Sequence, residues 1–306
     1  MTAAGGLLLV HAHPDDECFT TGGLIARTVA EGRRVDLVVC TGGEEGEVHD
    51  PELDPEEARP RMREIRAAEL ECAVALLGGG GPGELHLHRL GYRDSGMVDT
   101  EPNNHAEAFW QADFDEATGR LVSVIRAARP AVMVTYDANG LYGHPDHIQA
   151  HRVAVAAFLA AADPSRYSGA GPAFAVSKFY EIAMNGDRWA ALTGEMRERG
   201  IELPWGGDAD EPAAEPAAEP AEEEPFGTPE AEITTTVDVG EWSSVKRDAM
   251  ACHRTQLQDF GWLLRLPDDL AARVLSPEHF VLTRWPDRGI PANLRETSLF
   301  DGLGER

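Results

Sequence analysis

Two short stretches hold most of the chemistry that this chain can do. The first, His11-Ala12-His13-Pro14-Asp15-Asp16-Glu17, packs five titratable side chains around one proline. The second, Tyr142-Gly143-His144-Pro145-Asp146-His147, has the same His-Pro-Asp core and a second histidine. Two histidines and one carboxylate around an open position are the ligand set of a catalytic zinc site. The same set also serves Fe(II), so ligand type alone leaves Fe2+ beside Zn2+. His13, Asp16 and His147 are the expected ligands. His147 and His151 stand four apart and could share a helix face. Pro145 suits the first position of a helix, which puts His147 in its first turn and His151 a turn deeper. His147 is therefore preferred, with His151 behind it or in the core. Side chains alternate along an extended loop, so Asp15 faces away from Asp16. That leaves Asp15 toward a water whose pKa the metal lowers, as the group that takes its proton. Glu17 is left to orient a ligand or to cap the next helix.

Such residues need a frame that brings segments about 130 positions apart to one place. Leu7-Leu8-Leu9-Val10 is a short continuous apolar run. A helix is expected from Gly22, with Leu24, Ile25, Thr28 and Val29 on one face and Gly32 beyond its end. Val35 to Cys40 reads as the next strand. Strand, helix and strand in that order make a βαβ unit and imply a parallel sheet. Further elements are expected as a long charged helix over 55–77, a short strand at Leu85-His86-Leu87, a helix from Leu121 to Ala128, a strand from Pro130 to Tyr136 and a helix over 146–162. The fold class is thus α/β, a Rossmann-like parallel sheet with helices on both faces, plus a smaller C-terminal α+β region. Ligands in such sheets bind beyond the carboxyl ends of the strands. Loops 11–17, 41–47 and 136–147 share that rim.

The later chain is less regular. Strands are expected from Phe174 to Ile182, from Ile233 to Val239 and at His279-Phe280-Val281-Leu282, with a helix from Trp242 to Leu264. Residues 206–230 are acidic, rich in Pro and Ala, and without Lys or Arg, a composition that cannot bury a core. The expected division is a catalytic domain over 1–175 and a region over 176–306 that completes the substrate pocket and carries this insert.

Bulk composition bounds the partners. Among 306 residues, 53 are acidic and 27 basic, for a net charge of −26. That surface repels phosphate backbones and anionic lipid, so neither nucleic acid nor a membrane is an expected partner. A homo-oligomer is compatible with the sequence. Cys18, Cys40, Cys72 and Cys252 are widely spaced, which argues against a disulfide framework and fits a reducing compartment. With no leader pattern and no apolar run of bilayer length, a cytoplasmic protein is expected. Gly78 to Gly83 lacks the Lys-Ser/Thr of a phosphate loop, and no GxGxxG follows the first strand, so a nucleotide cofactor is not expected.

Ala12-His13-Pro14-Asp15-Asp16-Glu17 with Gly143-His144-Pro145-Asp146-His147 resembles the LmbE-like (PIG-L type) zinc N-deacetylases. Thr41-Gly42-Gly43-Glu44-Glu45-Gly46-Glu47, Tyr92-Arg93-Asp94-Ser95-Gly96-Met97 and Thr135-Tyr136-Asp137-Ala138-Asn139-Gly140 are similar to the mycothiol-pathway branch, as are Thr255-Gln256 and Glu278 to Leu282. The resemblance implies a hydrolase that removes acetate from a small amino sugar joined to inositol. It implies zinc on His13, Asp16 and His147, and Asp15 as general base. It also implies His144 as oxyanion donor or acid with Asp146 hydrogen-bonded to it, and Tyr142 on a mobile loop against the oxyanion. Arg66 and Asp94 would hold sugar hydroxyls, and Met97 would bind substrate beside them. Without the resemblance, Arg66 would be one charge on a solvated helix face and Asp94 a turn former. A sister group cleaves the amide of mycothiol S-conjugates. It carries a lysine soon after the first motif, where this chain reads Cys18-Phe19-Thr20-Thr21. An iron oxygenase could use the same three ligands, but βαβ repeats are a different setting for one. A sugar-binding module without turnover would not need Asp15.

Overall fold

Leu7, Leu8, Leu9 and Val10 have no exposed surface because their strand is the middle of a sheet covered on both faces. Burying each such side chain contributes roughly 2 kcal/mol. In the computed structural model, residues 5–201 and 227–304 are described. Most of the acidic 206–230 stretch therefore lies outside the described residues. The strands are β1 (Gly6–His11), β2 (Arg34–Thr41), β3 (Glu84–Tyr92), β4 (Pro130–Thr135), β5 (Lys178–Ala183), β6 (Thr235–Val237) and β7 (Glu278–Arg284). They form one sheet in the order β3-β2-β1-β4-β5-β7-β6. The first five in that order run parallel, and β7 and β6 are added antiparallel. The sheet thus continues from β4 and β5 into the C-terminal strands.

The chain steps from β1 outward to β2 and β3, then returns to β4 on the other side of β1. Right-handed crossovers put the connecting helices of these two directions on opposite faces. Helices Asp16–Ala30, Met62–Gly78 and Ser243–Cys252 pack together in one layer, and Phe114–Ala128 packs on Pro145–Ala161 in the other. The direction of winding reverses between β1 and β4, where sheets of this kind hold their ligands. Loops 11–17 and 136–147 leave those two strands.

Local signals explain most boundaries. Gly32 takes φ 79° and ends the first helix, its N–H on Val29 O. Asp113 and Asn185 cap the helices that follow them. The expected helix over 55–77 is broken: Pro55–Ala58 and Met62–Gly78 flank a 3₁₀ turn at Arg59–Arg61. Pro60 has no N–H to continue the ladder. The expected Trp242–Leu264 helix is likewise split by the turn Arg254–Gln256. Helices Gly186–Glu198 and Asp268–Leu275 were not foreseen, and β6 is shorter than Ile233–Val239. The cysteine expectation needs correction. Cys72 and Cys252 form a disulfide, with Cα atoms 5.8 Å apart across 180 positions, because their helices pack side by side. Among the described residues, no helix is long and apolar enough to cross a membrane.

Candidate active site

His13, Asp16 and His147 meet where the two loops converge. His13 Nδ1 lies 3.2 Å from His147 Nε2. Asp16 Oδ2 lies 3.5 Å from His13 Nδ1, and Asp16 Oδ1 lies 3.4 Å from His147 Nε2. Ligands at 2.0–2.2 Å from a tetrahedral metal stand about 3.3–3.6 Å from one another. The two imidazole nitrogens thus stand at ligand spacing, with one oxygen of the Asp16 carboxylate near each, a set able to close on one such ion.

The groups behind these donors aim them. His13 Nε2 faces Asp146 Oδ2 at 3.2 Å, and His147 Nδ1 faces Gly140 O at 3.2 Å. Each histidine, when neutral, thus spends its N–H outward and turns a lone pair toward the other. Gly140 is needed for this, since it has φ 64° and a Cβ there would lie 2.6 Å from His147 Cβ. Tyr136 completes the frame. Its ring stacks on His147 at 4.2 Å, and its hydroxyl donates to Asp16 Oδ2 at 2.7 Å while accepting from Ala12 N. His13 N also donates to Asp16 Oδ2, leaving Oδ1 toward His147. His151 Nδ1 bonds Tyr136 O instead, below this centre.

Charges follow the same plan. Burial would raise Asp16, but His147 and His13 hold its carboxyl well below the usual carboxylate range. Burial would lower His13, yet Asp94, Asp146 and Asp16 hold it well above the usual imidazole value. Burial pushes His147 down to about 4, partly offset by Asp16. Burial and the neighbouring histidines push His144 down to about 3. The donor set thus offers an ionised carboxylate, a neutral imidazole and a second imidazole that must release a proton to ligate.

Asp15 sits beside this centre with φ 118°, a conformation L residues rarely adopt. Burial raises its carboxyl, Arg66 lowers it and Asp16 raises it further, to about 7. Arg66 is buried and reaches it, with Nη2 3.1 Å from Asp15 Oδ2. Arg66 Nη1 donates to Gly43 O at 2.6 Å. Only glycine fits at 43, where φ is 64° and a Cβ would lie 2.3 Å from Arg66 Nη1.

The structure corrects one expected contact. The carboxylate of Asp146 does not bond His144; it accepts from His13, Ser95 N and Ser95 Oγ. It is the Asp146 backbone N–H that donates to His144 Nδ1, at 3.1 Å, because His144 caps the helix Pro145–Ala161. With Nδ1 accepting, neutral His144 carries its proton on Nε2.

A cavity of about 790 Å³ opens over these groups. Asp15, Asp16, His13 and His144 line its floor, and Arg66, Asp94, Met97 and Tyr142 line its sides. Asp94 is buried and holds the backbone, accepting from Gly96 N and Glu45 N. Its Oδ1 is also 3.6 Å from His13 Nε2. Met97 and Tyr142 are exposed, and Tyr142 lies in a turn where Gly140, Leu141 and Gly143 all have positive φ. Every expected site residue therefore adjoins one centre or its cavity.

Several residues at the site were not foreseen. Tyr136 holds Asp16, Ser95 holds Asp146, Gln256 lines the cavity from the C-terminal region, and buried His253 bonds Glu17. The quoted Thr255-Gln256 and Tyr136 were the available hints. Nothing local marks His253.

Known proteins share this fold. The N,N'-diacetylchitobiose deacetylase of Pyrococcus horikoshii superposes with a TM-score of 0.57 at 18% identity, over 94% of this chain and 86% of that one. GalB, a 4-carboxy-2-hydroxymuconate hydratase of Pseudomonas putida, superposes with a TM-score of 0.56 at 18% identity, over 95% and 99%. A deacetylase and a hydratase on one fold show that the fold does not decide the reaction. In sequence, the chain is 42% identical over 311 residues to the 1D-myo-inositol 2-acetamido-2-deoxy-alpha-D-glucopyranoside deacetylase 1 of Catenulispora acidiphila, covering 99% of this chain and 91% of that protein. Residues 8–158 match the model of the PIG-L family, GlcNAc-PI de-N-acetylase. Taken with the converging His-Pro-Asp loops, that full-length kinship means the chain belongs to the PIG-L (LmbE-like) family.

Proposed function

We propose that this chain is a zinc-dependent N-deacetylase that removes acetate from 1D-myo-inositol 2-acetamido-2-deoxy-alpha-D-glucopyranoside in the cytoplasm. The observation that carries the reading is the convergence of His13, His147 and the Asp16 carboxylate within 3.2–3.5 Å contacts, with Asp15 lining the same cavity. Its support in sequence is the 42% identity to a deacetylase of that name.

When bound by His13, Asp16 and His147, the metal would polarise the acetamide carbonyl and lower the pKa of water. Asp15 accepts the proton of the attacking water at its carboxylate, then returns it to the departing amine. Burial raises this carboxyl while Arg66 beside it favours the ionised form that accepts a proton. His144 Nε2–H and the Tyr142 hydroxyl donate to the developing oxyanion, each worth up to about 3 kcal/mol of transition-state stabilisation when well placed. Arg66 binds the Asp15 carboxylate and, with Asp94 and Met97, borders the sugar. The region over 176–306 completes the pocket through Gln256. The products are acetate and the free amino sugar.

Acetate release from the inositol-linked N-acetylglucosamine, compared with cleavage of a mycothiol S-conjugate, tests the substrate. Faster cleavage of the conjugate would make this an amidase. Asp15→Asn should keep its zinc and lose about 10³-fold in kcat. Near-normal turnover by that variant would remove Asp15 from the mechanism.

A further inference from the structure

We propose that Glu17 and His253 are a positioning pair that holds Asp15 in its working conformation. The pair would let the C-terminal region control turnover without touching substrate. The proposal rests on the reading of Asp15 as the general base.

The argument begins with the Pro14–Asp15 peptide, whose plane sets Asp15 φ. Both polar atoms of that peptide are gripped. Arg66 Nη2 donates to Pro14 O, and Asp15 N donates to Glu17 Oε2 at 2.9 Å. Fixing carbonyl and N–H together fixes the plane, and with it the unusual φ of 118°. Asp15 is not held by side-chain capping of its helix. A disfavoured conformation persists only where its surroundings over-determine it.

Glu17 is itself fixed by His253, whose Nε2 lies 2.9 Å from Glu17 Oε1 across 236 positions. Both residues have no exposed surface. Cys18 Sγ donates to the same oxygen at 3.0 Å. Neither Glu17 nor His253 lines the cavity, so neither reaches substrate.

His253 sits where the helix Ser243–Cys252 ends, and this segment is tied down on both sides. Cys252 is bridged to Cys72, and Thr255 N and Oγ1 donate to Glu69 at 2.8 and 2.7 Å. Cys72 and Glu69 belong to the helix Met62–Gly78, which also carries Arg66. One helix therefore delivers the grip on Pro14 O directly and anchors the segment that delivers the grip on Asp15 N.

The test uses the full zinc-loaded chain with His253→Leu, His253→Gln and Glu17→Leu. Gln can present an N–H near the place of His Nε2. His253→Gln should therefore keep kcat within about threefold, whereas His253→Leu should lose about 30–100-fold in kcat. KM should stay within about twofold, and zinc should remain at one per chain. A crystal structure of His253→Leu should show Asp15 φ relaxed from 118°. A folded His253→Leu with unchanged kcat overturns the pair, as does a loss equal in His253→Gln and His253→Leu. So does a second zinc per chain that His253→Leu removes, since Glu17, Cys18 and His253 would then be ligands. If His253→Leu does not fold, Glu17→Leu decides, because it leaves neither Asp15 N nor His253 Nε2 its carboxylate acceptor. It should lose about tenfold in kcat, and full activity overturns the proposal. Asp15→Asn in the same assay separates the two readings. An inactive Asp15→Asn beside a fully active His253→Leu rejects the pair alone, and an active Asp15→Asn rejects the base itself.

Discussion

His147 is 1% exposed and Tyr142, five residues earlier, is 60% exposed, although both border the same small volume. His147 lies in the first turn of a helix, with its ring stacked on Tyr136 and its outer nitrogen on Gly140 O. Tyr142 lies in a turn of positive-φ residues at the cavity mouth. Asp146 and His144 are both buried, but Asp146 is bonded to His13 while His144 caps a helix and lines the cavity. The difference separates two tasks. Holding an ion needs donors whose positions cannot drift, because a ligand bond tolerates little error. Admitting and releasing a sugar needs a wall that can yield.

This contrast can be broken from either side. The largest effect belongs to the sealed half. If His147 ligates as proposed, His147→Ala should cost about 3 kcal/mol of metal binding, a loss of two orders of magnitude or more in zinc affinity. Turnover should fall with metal content measured after dialysis. Retention of a full zinc equivalent would show that His147 is not a ligand.

A second effect sharpens the electrostatic side of the same half. Against the effect of burial, Asp94, Asp146 and Asp16 hold His13 above its usual pKa in the metal-free chain. Its Nδ1 must shed that proton before it can ligate. Zinc affinity should therefore rise with pH and fall by about tenfold per unit below that raised value. Calorimetry in buffers of different ionisation enthalpy should detect the released proton, and a pH-independent Kd would contradict it.

The smallest effects belong to the open wall. Tyr142→Phe should lower kcat by about tenfold with little change in KM, since it removes one exposed donor. Met97→Ala should raise KM by about threefold and leave kcat alone, as expected for an apolar contact. If both variants changed only KM, Tyr142 would be a wall residue like Met97, and the hydroxyl would have no part in the reaction.

Much of this was legible in the chain itself. The apolar run Leu7 to Val10, the β2 run and the Pro130 to Tyr136 run gave their strands, because a buried strand writes its environment into consecutive residues. The His-Pro-Asp repeats marked the loops that meet. Pro60 is visible in the sequence too, and it breaks the helix that periodicity alone carries over 55–77. His253 and the Cys72–Cys252 bridge had no local signature, since a lone histidine or cysteine is equally at home in a core, and Ser95 was marked only as part of a quoted motif.

The sequence by itself determined which chemical groups were available and on which rim they would lie, because periodicity, caps and strand order are read within short windows. The tertiary structure alone decided which atom faces which. It gave Asp146 to His13 rather than to His144, paired Glu17 with a histidine 236 positions away, and closed a disulfide across 180. Those pairings depend on how helices pack across the sheet. Packing is a sum over the whole chain that no short window contains.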